Sequence, residues 1–112
     1  MENIKFSDWQ KIDLRVGKIL KVEEIDGADK LYKLEVNLGK GLGIRNLVAG
    51  IKQHYKRNEL IGKKCVVFTN LEHRKIKGVE SQGMILAAVS DDEKEVCLLK
   101  PEKEIKEGSK IM

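Results

Sequence analysis

Arg74, Lys75 and Lys77 place three cations within four positions and are the residues of this 112-residue sequence best arranged to do chemistry. Like charges that close repel one another unless an anion sits among them, and such side chains are phosphate binders. A second basic run, Lys52, Lys56, Arg57, Lys63 and Lys64, is opposed by Glu59 alone. Both runs fall within residues 1–90, which hold 17 basic and 11 acidic side chains; residues 91–112 hold 5 and 7. With a formal net charge of +4, the chain suits a polyanionic partner, because each neutralised phosphate releases counterions. The competing reading is a solvated basic surface without a partner.

Residues that often catalyse are present but not arranged for it. Gly39-Lys40-Gly41-Leu42-Gly43 lacks both the dinucleotide spacing and the Gly-Lys-Ser/Thr ending of a phosphate loop, so it reads as a turn. Ser81 lies between Glu80 and Gln82, with no nucleophile-elbow pattern around it. His54 and His73 have no carboxylate placed for a triad by sequence. Cys65 and Cys97 sit among apolar residues without paired-cysteine spacing, so they read as small hydrophobes rather than zinc ligands or a disulfide. We expect no enzyme, no cofactor and no metal. No run approaches the ~20 apolar residues of a membrane-spanning helix. No apolar block follows the first lysine, so the expectation is a cytoplasmic protein.

Short strands must position the basic groups. Leu14 to Ile25 reads as one long strand, with Gly17 a bulge or bend. Tyr32 to Leu38 alternates apolar and polar residues, the pattern of a half-buried strand. Ile44–Ile51, Lys64–Asn70, Met84–Val89 and Val96–Leu99 are further apolar runs, and Lys110-Ile111-Met112 forms a final edge. Residues 71–82 read as a basic loop or irregular strand. Ser7-Asp8-Trp9-Gln10 starts a short helix or turn, with Phe6 and Trp9 packing it onto the core, and His54–Leu60 forms a helical turn. Short strands, regular turns and little helix predict an all-β domain over residues 1–112. A five-stranded Greek-key barrel of the OB-fold type suits its size and charge, with short helical turns and a C-terminal extension.

Several blocks, in order, carry a resemblance across nearly the whole chain. They begin with Asp13-Leu14-Arg15-Val16-Gly17-Lys18-Ile19, Ala28-Asp29-Lys30-Leu31-Tyr32 and Leu47-Val48-Ala49-Gly50-Ile51. Glu59-Leu60-Ile61-Gly62-Lys63-Lys64 follows, then the strongest block, Asn70-Leu71 through Lys75-Ile76-Lys77-Gly78-Val79-Glu80-Ser81-Gln82-Gly83-Met84-Ile85-Leu86-Ala87-Ala88. Together they resemble the tRNA-binding domain family, which includes the C-terminal appendage or separate β-subunit of methionyl-tRNA synthetases, EMAP II-like modules and small stand-alone tRNA-binding proteins. The resemblance implies an OB-fold that binds tRNA by shape and backbone. It also implies a homodimer, with a synthetase catalytic subunit as a further partner. A secretion chaperone of the same fold, which would bind apolar peptide, is the alternative. Where family members often carry proline this chain has His73.

On this resemblance the expected tRNA-binding residues are Lys30, Lys33, Arg45, Asn70, Arg74, Lys75, Lys77, Ser81 and Met84. The cations would meet phosphates, Ser81 would donate to a phosphate oxygen or a 2′-hydroxyl, and Met84 would pack on a base or sugar. Several of these have a structural alternative. Arg45 could pair with Glu35, Asn70 could cap a turn, and Met84 heads an apolar run of the kind usually found in a core. The aromatic residues Phe6, Trp9, Tyr32, Tyr55 and Phe68 leave little stacking platform once the core has taken its share. Folded RNA therefore suits this surface better than an unstructured single strand. The terminal segments, Asn3–Phe6 and Ile105–Met112, carry apolar residues that a small barrel would leave for a dimer interface.

Overall fold

The computed structural model describes residues 1–112. Its strands are all joined antiparallel. The main sheet runs β3 (Ile44–Ala49), β2 (Ala28–Asn37), β1 (Leu14–Ile25), β4 (Lys64–Phe68), β7 (Met84–Ile85), and β10 (Lys110–Ile111) joins the start of β1. Two hairpins stand apart from it: β5 (Arg74–Ile76) with β6 (Val79–Ser81), and β8 (Ala87–Val89) with β9 (Val96–Leu98). Three single helical turns, α1 (Phe6–Trp9), α2 (Gly39–Leu42) and α3 (Arg57–Leu60), link the strands. No helix is long and apolar enough to cross a membrane.

β1 is long enough to serve two neighbours. Its first part, Leu14–Lys18, pairs with β4, and its second, Lys18–Ile25, pairs with β2. The expected bulge at Gly17 is not there. Gly17 pairs in unbroken register with Cys65, and the register shifts of β1 against β2 fall between Ile19 and Lys21 and between Glu24 and Ile25. Gly17 has a packing role instead, since a Cβ on it would come within 2.5 Å of Val36 Cγ1. The alternation in β2 appears as read: Tyr32, Leu34, Val36 and Leu38 are buried, while Lys33, Glu35 and Asn37 point to the other face. With Ile19, Val22, Leu47, Leu60, Val67 and Leu98 the buried side of β2 forms one apolar core. Cys65 belongs to it, and burial pushes its thiol up to about 12, so it packs as a hydrophobe.

Phe6 and Trp9 do not pack into this core; they are 69% and 39% exposed. A single helical turn buries too little to dock by itself, and α1 lies instead along Ile12, Ile111 and Met112 at the surface. The N-terminal segment is anchored through polar groups. Asn70 accepts from the Asp13 N–H at 2.8 Å and donates to the Lys11 carbonyl at 2.6 Å. Arg15 Nε donates to both Asp13 carboxylate oxygens at 3.0 and 3.1 Å, and its Nη1 donates to the Gly108 carbonyl at 3.1 Å. The Thr69 hydroxyl donates to the same carboxylate. Lys64 holds the C-terminal segment through the Ile105 carbonyl at 2.6 Å and Glu107 at 3.1 Å.

The Arg15 guanidinium, helped by Thr69, holds the Asp13 carboxyl below the usual carboxylate range. A carboxyl with a lowered folded-state pKa stabilises above its unfolded value of ~3.9 and loses that contribution as pH falls through the folded value. Asp13→Asn is therefore expected to be less stable than the parent at pH 7. The gap should narrow progressively below about pH 4, as measured by urea denaturation across pH.

Candidate nucleic-acid interface

Residues 71–82, expected as a basic loop or irregular strand, contain the hairpin β5–β6, with Arg74 opposite Ser81, Lys75 opposite Glu80 and Ile76 opposite Val79. Its two-residue turn is Lys77-Gly78, both at positive φ (51° and 79°), the conformation whose twist suits a tight hairpin. The hairpin separates the three cations. Arg74 and Ile76 face a groove, Lys75 stands on the other side across from Glu80, and Lys77 sits at the tip. His73 Nδ1 is 3.8 Å from the Glu80 carboxylate, so the position read as proline in relatives is joined here to the opposite strand.

The groove lies between the end of β3, this hairpin and the run from β7 into β8. Val48, Ile51, Leu71, Ile76, Ile85 and Ala87 give it an apolar lining, with Arg74, Glu72 and Met84 also on its walls. Met84 is 44% exposed and pairs with Phe68 at the sheet edge, so it is a surface residue rather than a core one. Lys33 stands across from Val48 on the outer side of β2, and the Lys30 carbonyl accepts from the Lys52 N–H beside Gly50 and Ile51. Lys30 and Lys33 thus flank one side of the groove and the hairpin the other.

Three of the expected contact residues have their polar groups engaged inside the protein. Arg45 does not pair with Glu35, which meets Lys21 at 3.8 Å; its Nη1 donates to the carbonyls of Thr69 at 2.6 Å and Gln82 at 3.3 Å. Ser81 is only 5% exposed; its hydroxyl accepts from the Val48 N–H at 3.0 Å and donates to the Gly83 carbonyl at 3.1 Å. Its proton is therefore not free for a phosphate or 2′-hydroxyl, which corrects the role expected of it. Asn70 is likewise engaged, holding the N-terminal segment through Lys11 and Asp13 rather than capping a turn after its own strand. These residues shape the groove rather than line it with free donors.

The ion pairs of the structure take up Lys11, Arg15, Lys21, Lys52 and Lys64. None of Lys30, Lys33, Arg74, Lys75 or Lys77 has a carboxylate within 4.0 Å. The second basic run is partly paired: Glu24 holds Lys52 at 2.6 Å and Glu107 holds Lys64, Lys63 lies 4.9 Å over the Tyr55 ring, and Lys56 and Arg57 have no carboxylate within 4.0 Å. Hydrogen bonding between Lys52 and Glu24 raises the ammonium and lowers the carboxyl. Sequence reasoning missed the groove lining, Val48, Leu71 and Ile76. The Arg74-Lys75-Ile76 alternation was its local signal, but the basic character of the segment masked it.

A small, mostly β domain with a basic-flanked groove is an architecture that binds anionic polymers. The chain belongs to the tRNA-binding domain family: residues 14–110 match the family profile described as "Putative tRNA binding domain". It is 53% identical over 111 residues to a methionine–tRNA ligase of Pyrococcus horikoshii, covering 99% of this chain and 15% of that protein. A methionine–tRNA ligase of Parabacteroides distasonis is 46% identical over 110 residues, 98% of this chain and 16% of the other. The chain thus spans about 15% of the length of these ligases. Among solved structures, a methionyl-tRNA-synthetase-related protein from Pyrococcus horikoshii superposes with a TM-score of 0.91 at 36% identity, each chain fully covered. The chaperone CsaA of Bacillus anthracis superposes with 0.89 at 30% identity, over 99% of this chain and 100% of that one.

Replacing Ser81 with alanine strands the Val48 N–H and the Gly83 carbonyl in a buried position. Ser81→Ala should cost about 1–3 kcal/mol of stability in urea melts.

Proposed function

We propose that this chain is a non-catalytic tRNA-binding protein that recognises tRNA by shape and backbone. It acts alone or as the β-subunit or trans-acting appendage of methionyl-tRNA synthetase, in the cytoplasm. The observation that carries this reading is Arg74 on the groove wall, with Lys75 and Lys77 on the same hairpin and Lys30 and Lys33 on the strand beside β3, five cations without a carboxylate within 4.0 Å. Unpaired cations repel one another, and a phosphate chain relieves that repulsion while releasing its counterions. Membership of the family supports tRNA as the polyanion. We read the five-strand path, joined at its ends through Ser81 and Gln82, as a Greek-key OB barrel. In that barrel Arg45, Asn70 and Ser81 position the site, and the cations and Met84 meet the RNA.

The apolar lining of the groove, together with the likeness to a chaperone, favours a second reading in which the ligand is an apolar peptide. Salt separates the two. Phosphate contacts predict affinity that falls steeply as salt rises, whereas apolar burial predicts little change. Arg74→Ala and Lys77→Ala should each weaken binding of total tRNA and each flatten the slope of log affinity against log salt by roughly 0.7–0.9. Binding unaffected by salt, or displaced by poly-uridine at equal nucleotide concentration, would remove the shape-reading proposal.

We also propose a homodimer, which the exposed apolar surface at the termini supports. Phe6 and Met112 are exposed at a small pocket that Trp9, Ile12 and Ile111 also line, and Ile4, two residues before Phe6, is exposed as well. Exposed apolar groups gathered in one place mark a contact surface, and pairing two copies would double the basic face offered to one tRNA. Sedimentation velocity at micromolar concentration should show a dimer for the parent chain and a monomer for Phe6→Asp; a monomeric parent would refute the pairing.

A further inference from the structure

Phosphate contacts explain the rim of the groove but leave its floor without a ligand. The space holds about 240 Å³ between Val48, Leu71, Ile76, Met84 and Ala87. Sites for drug-sized molecules run roughly 300–1,000 Å³, so this one takes a single ring system rather than a run of side chains. An extended peptide would bind such a place by adding a strand to a free edge. The β3 edge here is already occupied: Val48 N–H donates to Ser81 Oγ at 3.0 Å, Asn46 N–H to Gln82 Oε1 at 2.9 Å, and Gln82 N–H to the Asn46 carbonyl at 2.8 Å.

Two chargeable side chains of opposite sign line the same groove. Glu72 and Arg74 stand two positions apart in the segment entering β5, and neither takes part in an ion pair. A bare phosphate is drawn to Arg74 and repelled by Glu72. A nucleotide satisfies both, its base offering N–H donors to the carboxylate and its phosphate lying on the guanidinium. Met84, exposed at the mouth, has a flexible and polarisable thioether suited to closing over a planar ring.

We propose that the groove holds one unpaired nucleobase of a bound tRNA, its faces against Met84 and Ile76, its edge toward Glu72 and its phosphate on Arg74. This rests on the tRNA reading above and adds a base-binding slot to it. Unstacked bases are the part of folded RNA that proteins grip by their faces and edges, and apolar side chains serve where aromatic ones are absent.

The test is methyl NMR on the full-length chain, following Met84, Ile76 and Val48. Guanosine and uridine monophosphates should shift these methyls saturably while ribose 5-phosphate does not, and total tRNA should shift the same set. Met84→Ala should weaken tRNA about tenfold, within the range expected for loss of one stacked base. Tight, salt-dependent tRNA binding that leaves the groove methyls unmoved would overturn the base slot while the tRNA reading stands. No tRNA binding at low salt would remove both. Saturable shifts with an apolar hexapeptide, and none with the nucleotides, would overturn the slot in favour of a peptide.

Discussion

A five-strand antiparallel path has two edges, and the N–H and C=O groups along each edge need partners. In this chain β3 lies at one end of the path and β7 at the other. No strand pairs along the free side of β3. Its groups are met instead by the segment just before β7: Gln82 exchanges bonds with Asn46 through both backbone and side chain, and Ser81 accepts from Val48. Arg45 reaches from β3 to the carbonyls of Thr69 and Gln82, so one guanidinium spans the seam. The rest of the site follows from this join. Holding Ser81 against β3 lays the β5–β6 hairpin beside the end of that strand, and the space left between them is the groove.

The same join divides the polar residues into two kinds. Side chains that hold the seam and the termini, Arg45, Asn70, Ser81, Asp13 and Arg15, have their hydrogen bonds filled within the protein. The cations Lys30, Lys33, Arg74, Lys75 and Lys77 have no ion-pair partner. Net charge cannot distinguish them, because Lys52 and Lys64 carry the same charge as Lys77 yet are held by Glu24 and Glu107. The electrostatics of the interface therefore depends less on how many cations the chain has than on which ones its acidic residues fail to reach.

The groove combines an apolar floor with a charged rim, which is how one fold can belong among both tRNA-binding proteins and chaperones. The proposal of nucleic acid over peptide rests on the unpaired charge at the rim and the satisfied edge at the floor. The first attracts phosphate, and the second denies a peptide its main-chain partners.

Much of this was legible in the chain itself. Period-two patterning placed β2 and its buried face, because alternation maps directly onto the two sides of a strand. The ordered family blocks and the Arg74–Lys77 cluster located the functional region. Other features needed the fold. Residues 71–82 looked like a basic loop, since a three-residue strand is too short to display a period, and only the positive-φ turn at Lys77-Gly78 makes it a hairpin. Phe6, Trp9 and Met84 looked like core by residue type, but burial depends on whether a neighbouring element is there to cover them, and at these places none is. Composition and order thus determined the mostly β class of the fold and the family to which the chain belongs. The tertiary structure alone decided which hydroxyl, amide and guanidinium are consumed in tying β3 to the segment before β7 and the N-terminal segment to the end of β4, because residues far apart in sequence become hydrogen-bond partners only when the chain brings them together.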